Sequence, residues 1–524
     1  MIALRGVLAT LRRGCEKPSE VQAVGGQLVE VLRSPEEGET FAISLVLCLN
    51  LLSKQPHVDR GTWHRLAEGT APLLPSLPLR QLTLSMNAFS RTAVVHSGWI
   101  REAALALQRA EEGAMSAQDV SLALGALARV MHRDEGLLLR LLRSHAAPLL
   151  DDFAPQGLVS VAHAVARLRE GQPESQEAGQ HTDAFLRDTA SRIALRLNDL
   201  RPLELALTID AYTRRPATRG DLPAWARTLI ERLSVEVAPD LDRLGPREVV
   251  MVITALARQD LACEASLAAA LVAALARALP KLSGAEVAVA VHAGAQLRLE
   301  LQALVHSAVK DGRMHDAVRD CGPAHLALYT HALAKLQVQP PADCWSLLLK
   351  QARDLGALDS PNTVRVILAA AKSDWPSEGI RRLAWGILDD LEDLGDEAVA
   401  SLAYAHLHPY YFDPWRLATL LQHIGERREL RTHSFACQVR SALVGLRALA
   451  VNFLPQIPLV VARTLLMLVG NSGARPGSSS ENRLKLSDLQ ADVEVVLTSM
   501  CRDTRCSLVR SEQVAWPLSI DIVL

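Results

Sequence analysis

The sequence predicts an all-α fold, an α-solenoid of two-helix repeats each about 38 residues long, followed by a short C-terminal α/β segment. Three observations carry this. A nine-residue pattern recurs nine times at nearly constant spacing, a helix-start signal precedes most copies, and the composition is 49% hydrophobic but only 4% aromatic. Such a composition suits stacked helices better than sheets, which draw on aromatic residues.

The pattern is clearest as VAVAVHAGA at 287–295: apolar, small, apolar, any, apolar, polar, Ala, any, Ala. Close copies are LVSVAHAVA at 158–166, VVMVITALA at 249–257 and LALYTHALA at 326–334. Looser ones are LTLSMNAFS, VSLALGALA, LALTIDAYT, VRVILAAAK and VASLAYAHL. Their anchor alanines are Ala88, Ala126, Ala164, Ala211, Ala255, Ala293, Ala332, Ala370 and Ala405, at intervals of 38, 38, 47, 44, 38, 39, 38 and 35. Small residues two apart let neighbouring helices approach while the apolar positions fill the seam, so each copy reads as a core helix.

Ser116, Pro155, Pro202, Pro246, Gly284, Pro323 and Pro361 stand shortly before their copies. Proline fits the first helical turn, where its missing N–H has no partner to lose. A second amphipathic run follows each copy, for instance SLAAALVAALARAL at 266–279. A solenoid of such pairs adds layers without a central core, which lets 524 residues form one array.

In chain order, residues 1–20 open with Arg5, Arg12 and Arg13 and no acid before Glu16. Two readings stand, an organellar presequence or a first solenoid helix with a basic face. The solenoid is expected over 21–424, its first and degenerate repeat at FAISLVLCLNLL from Phe41. The long intervals are explained by polar inserts at 169–183 and 214–223, both read as loops. Eight acidic residues against two arginines mark 374–397, and the sign then reverses over a basic helical cap at 425–470. Five of the twenty aromatics fall within 404–415. Rings beside arginines can stack on bases and neutralise phosphates, which makes Tyr404, Tyr411, Trp415, Arg427, Arg428 and Arg431 candidate RNA contacts. A packed turn punctuated by Pro409 and Pro414 is the alternative. The apolar run at 457–470 carries Arg463 in its middle and reads as a buried helix, so no membrane span is expected. A Gly/Ser/Pro-rich linker follows at 471–482.

Residues 483–524 bring in a resemblance. SDLQADVEVVL and then AWPLSIDIVL resemble the lead-in helix and first strand of a RAP domain, with Ser487, Leu489, Gln490, Val493 and Leu497 matching the helix and Ser519, Ile520, Asp521 and Ile522 the strand. The helical repeats before them resemble those of FAST-kinase-like and heptatricopeptide-repeat proteins, which carry a RAP domain at their C-terminus. The resemblance implies organellar RNA binding, in RNA maturation, RNA stability or ribosome assembly, with single-stranded or ribosomal RNA and other proteins of an organellar ribonucleoprotein complex as partners. It implies a mitochondrial location before a plastid one. The family's RAP domains continue well past the strand matched here, so a remnant is expected. Asp521 alone cannot assemble a hydrolytic metal centre.

The sequence offers no catalytic constellation, with no GxGxxG after a strand, no GxxxxGK[ST] and no HExxH, and no cofactor is expected. The eight cysteines form no CxxC pair and read as mostly buried thiols in a reducing compartment. A polar position does recur just before the anchors, at Asn87, Gly125, His163, Asp210, Thr254, His292, His331, Ala369 and Tyr404. One variable polar group per layer is how modular readers of single-stranded RNA address one base per repeat, which makes Asn87, His163, Asp210, Thr254, His292, His331 and Tyr404 candidate base contacts. The alternative is a column that is solvated, or satisfied within the stack. Layers about 10 Å apart keep its histidines from sharing a metal. At net charge −2 the chain is not a uniformly basic nucleic-acid binder, and a HEAT-like scaffold for partner proteins is the competing function.

Overall fold

The computed structural model describes residues 2–427 apart from 16, 34–38, 56, 93–96, 171–174, 215–221, 260–262, 312–318, 320 and 356–357, and beyond them 438–439, 441–442, 510–515 and 518–523. Every regular element among the described residues up to Arg427 is a helix. The expected cap at 425–470 lies almost wholly outside the described residues, and the linker, the 457–470 helix and the helix matched at Ser487 lie entirely outside them.

Two compact units divide the chain, Met1–Leu282 with Gln296–Glu300, and Ser283–Ala295 with Leu301–Leu524. In the first, helices Ile2–Arg13, Glu39–Leu52, Leu79–Ser90, Ala117–Arg129, Pro155–Arg169, Pro202–Thr213 and Pro246–Ala257 each pack on the next in that order. The intervening helices form a second row, in which Pro18–Leu32 meets Arg60–Thr70 and Gln176–Leu195 meets Ala224–Val237. In the second unit, Pro323–Lys335, Ser360–Lys372, Asp396–Ala405 and Pro414–Arg427 pack in succession.

Pattern explains packing. None of the nine anchor alanines is more than 2% exposed, so each lets the neighbouring backbone come close. Helix starts follow the local signals: Pro155, Pro202, Pro246 and Pro323 occupy the first turn of their helices. Ser116 and Asp119 close a reciprocal capping box at the start of Ala117–Arg129.

Three details refine the expectations. Leu4, Val7 and Leu11 are buried and Ile2–Arg13 packs on Glu39–Leu52. The first insert is not a loop throughout, because Gln176–Leu195 is helical, started by Ser175, whose side chain accepts from the Ala178 N–H. Most of the second, 215–221, lies outside the described residues. Near the C-terminus, Arg510–Ala515 pairs antiparallel with Leu518–Val523, so the segment around Ser519 and Asp521 is extended.

Candidate functional site

Several of the motif helices end alike. In Ala117–Arg129, Pro323–Lys335 and Ser360–Lys372 the chain turns through a left-handed residue, Met131, Gln337 or Asp374. The next N–H then reaches back into the helix, His132 to Leu127 O at 3.0 Å, Val338 to Leu333 O at 2.9 Å and Trp375 to Ala370 O at 2.9 Å. The last helical residue is basic each time, beside carbonyls that favour a cation.

In the first unit a row of cations is present that the polar column did not reveal: Arg91, Arg129, Arg167, Arg214 and Arg258 each stand three residues after their anchor alanine. In the first unit the long side chains lie back across the neighbouring layer. Arg129 donates through Nε to Ser90 Oγ at 3.0 Å and through Nη2 to Asn87 Oδ1 at 2.6 Å. Partial withdrawal from water, then the charges of Arg91 and Arg167, bring the Arg129 pKa down to about 10. Partial withdrawal from water and the charge of Arg214 likewise lower that of Arg167. Arg129 and Arg167 remain cations at neutral pH.

The carboxylate set into this row is Asp210. His163 Nε2 lies 3.1 Å from its Oδ2, Arg214 Nε 2.8 Å from the same oxygen, and Arg258 Nη1 2.7 Å from Oδ1. Burial alone would raise its pKa, but these partners hold it far below the usual carboxylate range. Arg214 also pairs with Glu170.

The expected base-reading column is thus largely turned to internal work. Asn87 is 4% exposed and accepts from Arg129, Asp210 is fully buried, and Thr254 donates to Val250 O at 2.7 Å. As base contacts Asn87 and Asp210 are corrected, because their polar groups are buried and committed within the stack. His163 pairs with Asp210, His292 meets His331, and Tyr404 is half-buried.

Tyr411 is likewise corrected as a stacking residue: it is 1% exposed and its hydroxyl donates to Trp375 O. Trp415 is 60% exposed. The Arg427 side chain and all of Arg428 and Arg431 lie outside the described residues. A different aromatic and basic cluster is present instead, with Trp385 between Arg381 at 4.7 Å and Arg416 at 4.0 Å, and Tyr410 5.6 Å from Arg381.

Among the described residues no group of three or more His, Cys, Asp or Glu is arranged to hold a metal, and no helix is long and apolar enough to cross a membrane. Cys48, Cys321 and Cys344 are buried thiols, and burial pushes Cys48 up to about 12. No protein-family model matches the chain, and no curated protein is significantly similar to it.

Proposed function

We propose that this chain is a mitochondrial RNA-binding helical-repeat protein, acting in RNA maturation or stability or as a ribosomal-RNA-binding component of the mitochondrial ribosome. In this reading the motif helices and their partners are two-helix repeats of about 38 residues, and the terminal hairpin belongs to a RAP-like remnant. The observation that carries it is the cationic row. Cations at helix C-termini are favoured by the helix itself, but Arg129 sits where Arg91 and Arg167 both oppose its charge. That repulsion costs stability, and a polyanion laid along the row relieves it. Phosphates are then held by the row, while Trp415 and Tyr404 are the column's and cluster's remaining candidates for stacking.

The mitochondrial location rests on the family resemblance and on the Arg-bearing N-terminus. Binding of a single-stranded RNA oligonucleotide to the full chain, followed by anisotropy over a salt series, tests the central claim. Affinity that falls steeply and linearly with log salt supports it, and no binding at low salt hands the fold to the scaffold reading, in which Arg–Asp210 pairs simply tie layers together. A reporter carrying residues 1–20 that stays in the cytosol would count against the location.

A further inference from the structure

Gly125 and Asp210 hold the same motif position, one residue before the anchor alanine, and each is followed four residues later by an arginine, Arg129 or Arg214. Asp210 fills its position with a carboxylate. Arg214 closes on it from the same helix, Nε to Oδ2 at 2.8 Å, and Arg258 from the next motif helix, Nη1 to Oδ1 at 2.7 Å. Gly125 has an arginine in each of the same two places but no side chain of its own. Asn87 Oδ1 and Ser90 Oγ hold the Arg129 guanidinium through Nη2 and Nε, and Nη1 is left to face Gly125. A Cβ built on Gly125 would lie 3.7 Å from that Nη1 and, beyond its chain neighbours and the backbone of its own helix, meet nothing else within 4 Å. Arg167, the counterpart of Arg258, rests on Met131 Sδ at 3.8 Å, a weak acceptor. Neither Arg129 nor Arg167 makes an ion pair among the described residues. Glu170 and Asp210, the carboxylates that bear on Arg167, close on Arg214 and Arg258 instead. Arg129 is exposed and Gly125 and Arg167 are half-buried, so solvent reaches the place.

We propose that Gly125, Arg129 and Arg167 form a seat for an external phosphate group, which takes there the place that the Asp210 carboxylate takes in its own layer. This rests on the RNA reading above, in which the phosphate is a backbone phosphodiester of a single strand. Glycine lets a ligand come close to the helix backbone, because no Cβ stands in the way. Arg129 offers Nη1 to the phosphate, and Arg167 exchanges a thioether for a charged acceptor, which makes the stronger hydrogen bond. Asn87 and Ser90 are positioning residues: they order the Arg129 guanidinium before the phosphate arrives, so less freedom is lost on binding.

Three substitutions separate such a seat from a structural role. Gly125→Asp installs the carboxylate of the Asp210 layer four residues before Arg129, where it pairs within the helix and leaves the fold intact or firmer. Gly125→Ala meets Arg129 Nη1 at an ordinary contact distance, so the helix gains stability while the methyl occupies the seat. Gly26→Asp adds the same charge at an exposed glycine of Pro18–Leu32, where an added Cβ meets nothing within 4 Å. Binding of a single-stranded oligouridylate to the full chain is followed by anisotropy over a salt series. Gly125→Asp should weaken it on the order of tenfold and lower the salt slope by about 0.7, Gly125→Ala should weaken it less, and Gly26→Asp should do neither. Binding that survives both Gly125 variants, or that falls equally in Gly26→Asp, overturns the seat and leaves the RNA reading standing. If the wild type binds no oligouridylate, sulfate decides. A thermal midpoint that sulfate raises further in the wild type and Gly26→Asp than in Gly125→Asp upholds the seat and sinks the RNA reading, and equal shifts overturn both. Should Gly125→Asp fail to fold, Gly125→Ala carries the same comparisons.

Discussion

Arg258 closes on Asp210 across one helix layer, Nη1 to Oδ1 at 2.7 Å, although the two residues are 48 apart in sequence. Asp210 is wholly buried and also holds His163 and Arg214, so it ties three successive motif helices together. Removing one member of a buried ion network leaves the others desolvated and unpaired. Asp210→Asn should therefore destabilise the chain by about 3 kcal/mol, measured by urea unfolding with a probe in the first unit. Arg258→Gln, at a site closer to water, should cost less. Equal and negligible effects would show that the network contributes nothing to the stack.

Acid should weaken the fold in two windows. His292 and His331 have folded pKa values of about 4 and about 3, below the ordinary 6.5. The unfolded chain then binds protons first, so stability is full above pH 6.5 and falls as pH drops from there toward 4. The slope reaches at most about 1.4 kcal/mol per pH unit for each such group. Asp210 is depressed from its ordinary 3.8, so its contribution is present above that value and disappears only at lower pH. Unfolding midpoints from pH 7.5 to 4.5 check this: His292→Gln/His331→Gln should flatten the upper window, whereas Asp210→Asn should leave its slope unchanged.

His145 is an orphan in a π-helical turn. It lies within Leu141–Ala146, is 1% exposed, and neither ring nitrogen has a hydrogen-bond partner. Burial lowers its pKa, so it is kept neutral at the cost of its own desolvation. Replacing an unpaired buried polar group with an apolar one of similar size removes a penalty of about 1–3 kcal/mol. His145→Leu should raise thermal stability at pH 7, and more so at pH 5.5. A loss at both pH values would show that the ring makes contacts worth more than its desolvation.

Much of the helical architecture was legible because the anchor alanines and first-turn prolines are local signals, and each is realised in a buried contact or a helix start. The loop reading of 169–183 failed where polar composition hid a capped helix beginning at Gln176. At the site, the residue before each anchor drew the eye because its type varies, yet Asn87 and Asp210 vary because each answers an arginine from another layer. Those partners are 42 and 48 residues away, a distance at which no local pattern marks a pair. The better signal was constancy: a basic residue three places after the anchor, from Arg91 to Arg258. Tyr411 and Trp415 are four residues apart in one aromatic run, and only the turn that sends Tyr411 under Trp375 separates core from surface.

That separation predicts opposite phenotypes. Tyr411→Ala should cost about 3–5 kcal/mol of stability, as for a buried aromatic truncated in a core. Trp415→Ala should leave the unfolding midpoint nearly unchanged and weaken oligonucleotide binding by about 1–3 kcal/mol if the ring stacks on a base. Unchanged binding in the Trp415 variant would remove this ring from the RNA surface.

The row itself is tested by its salt dependence. Arg91, Arg129 and Arg167 follow one another along the first unit, Arg129 being influenced by both neighbours, so a single strand following the edge meets them in succession. Arg91 and Arg129 are exposed and Arg167 is half-buried. Arg129 also holds Asn87 and Ser90, so its removal carries a structural cost that Arg91→Gln does not. Arg91→Gln is therefore the cleaner probe. Releasing one phosphate from its arginine should reduce the slope of log affinity against log salt by about 0.7 on a single strand, whatever the base sequence. Arg91→Gln/Arg167→Gln should reduce it by about 1.4, since the two side chains lie on separate layers and their effects add. If the slope stays at its wild-type value while affinity falls, the loss is one of folding or shape. An unchanged slope and affinity in the folded double variant would place the phosphates elsewhere on the chain.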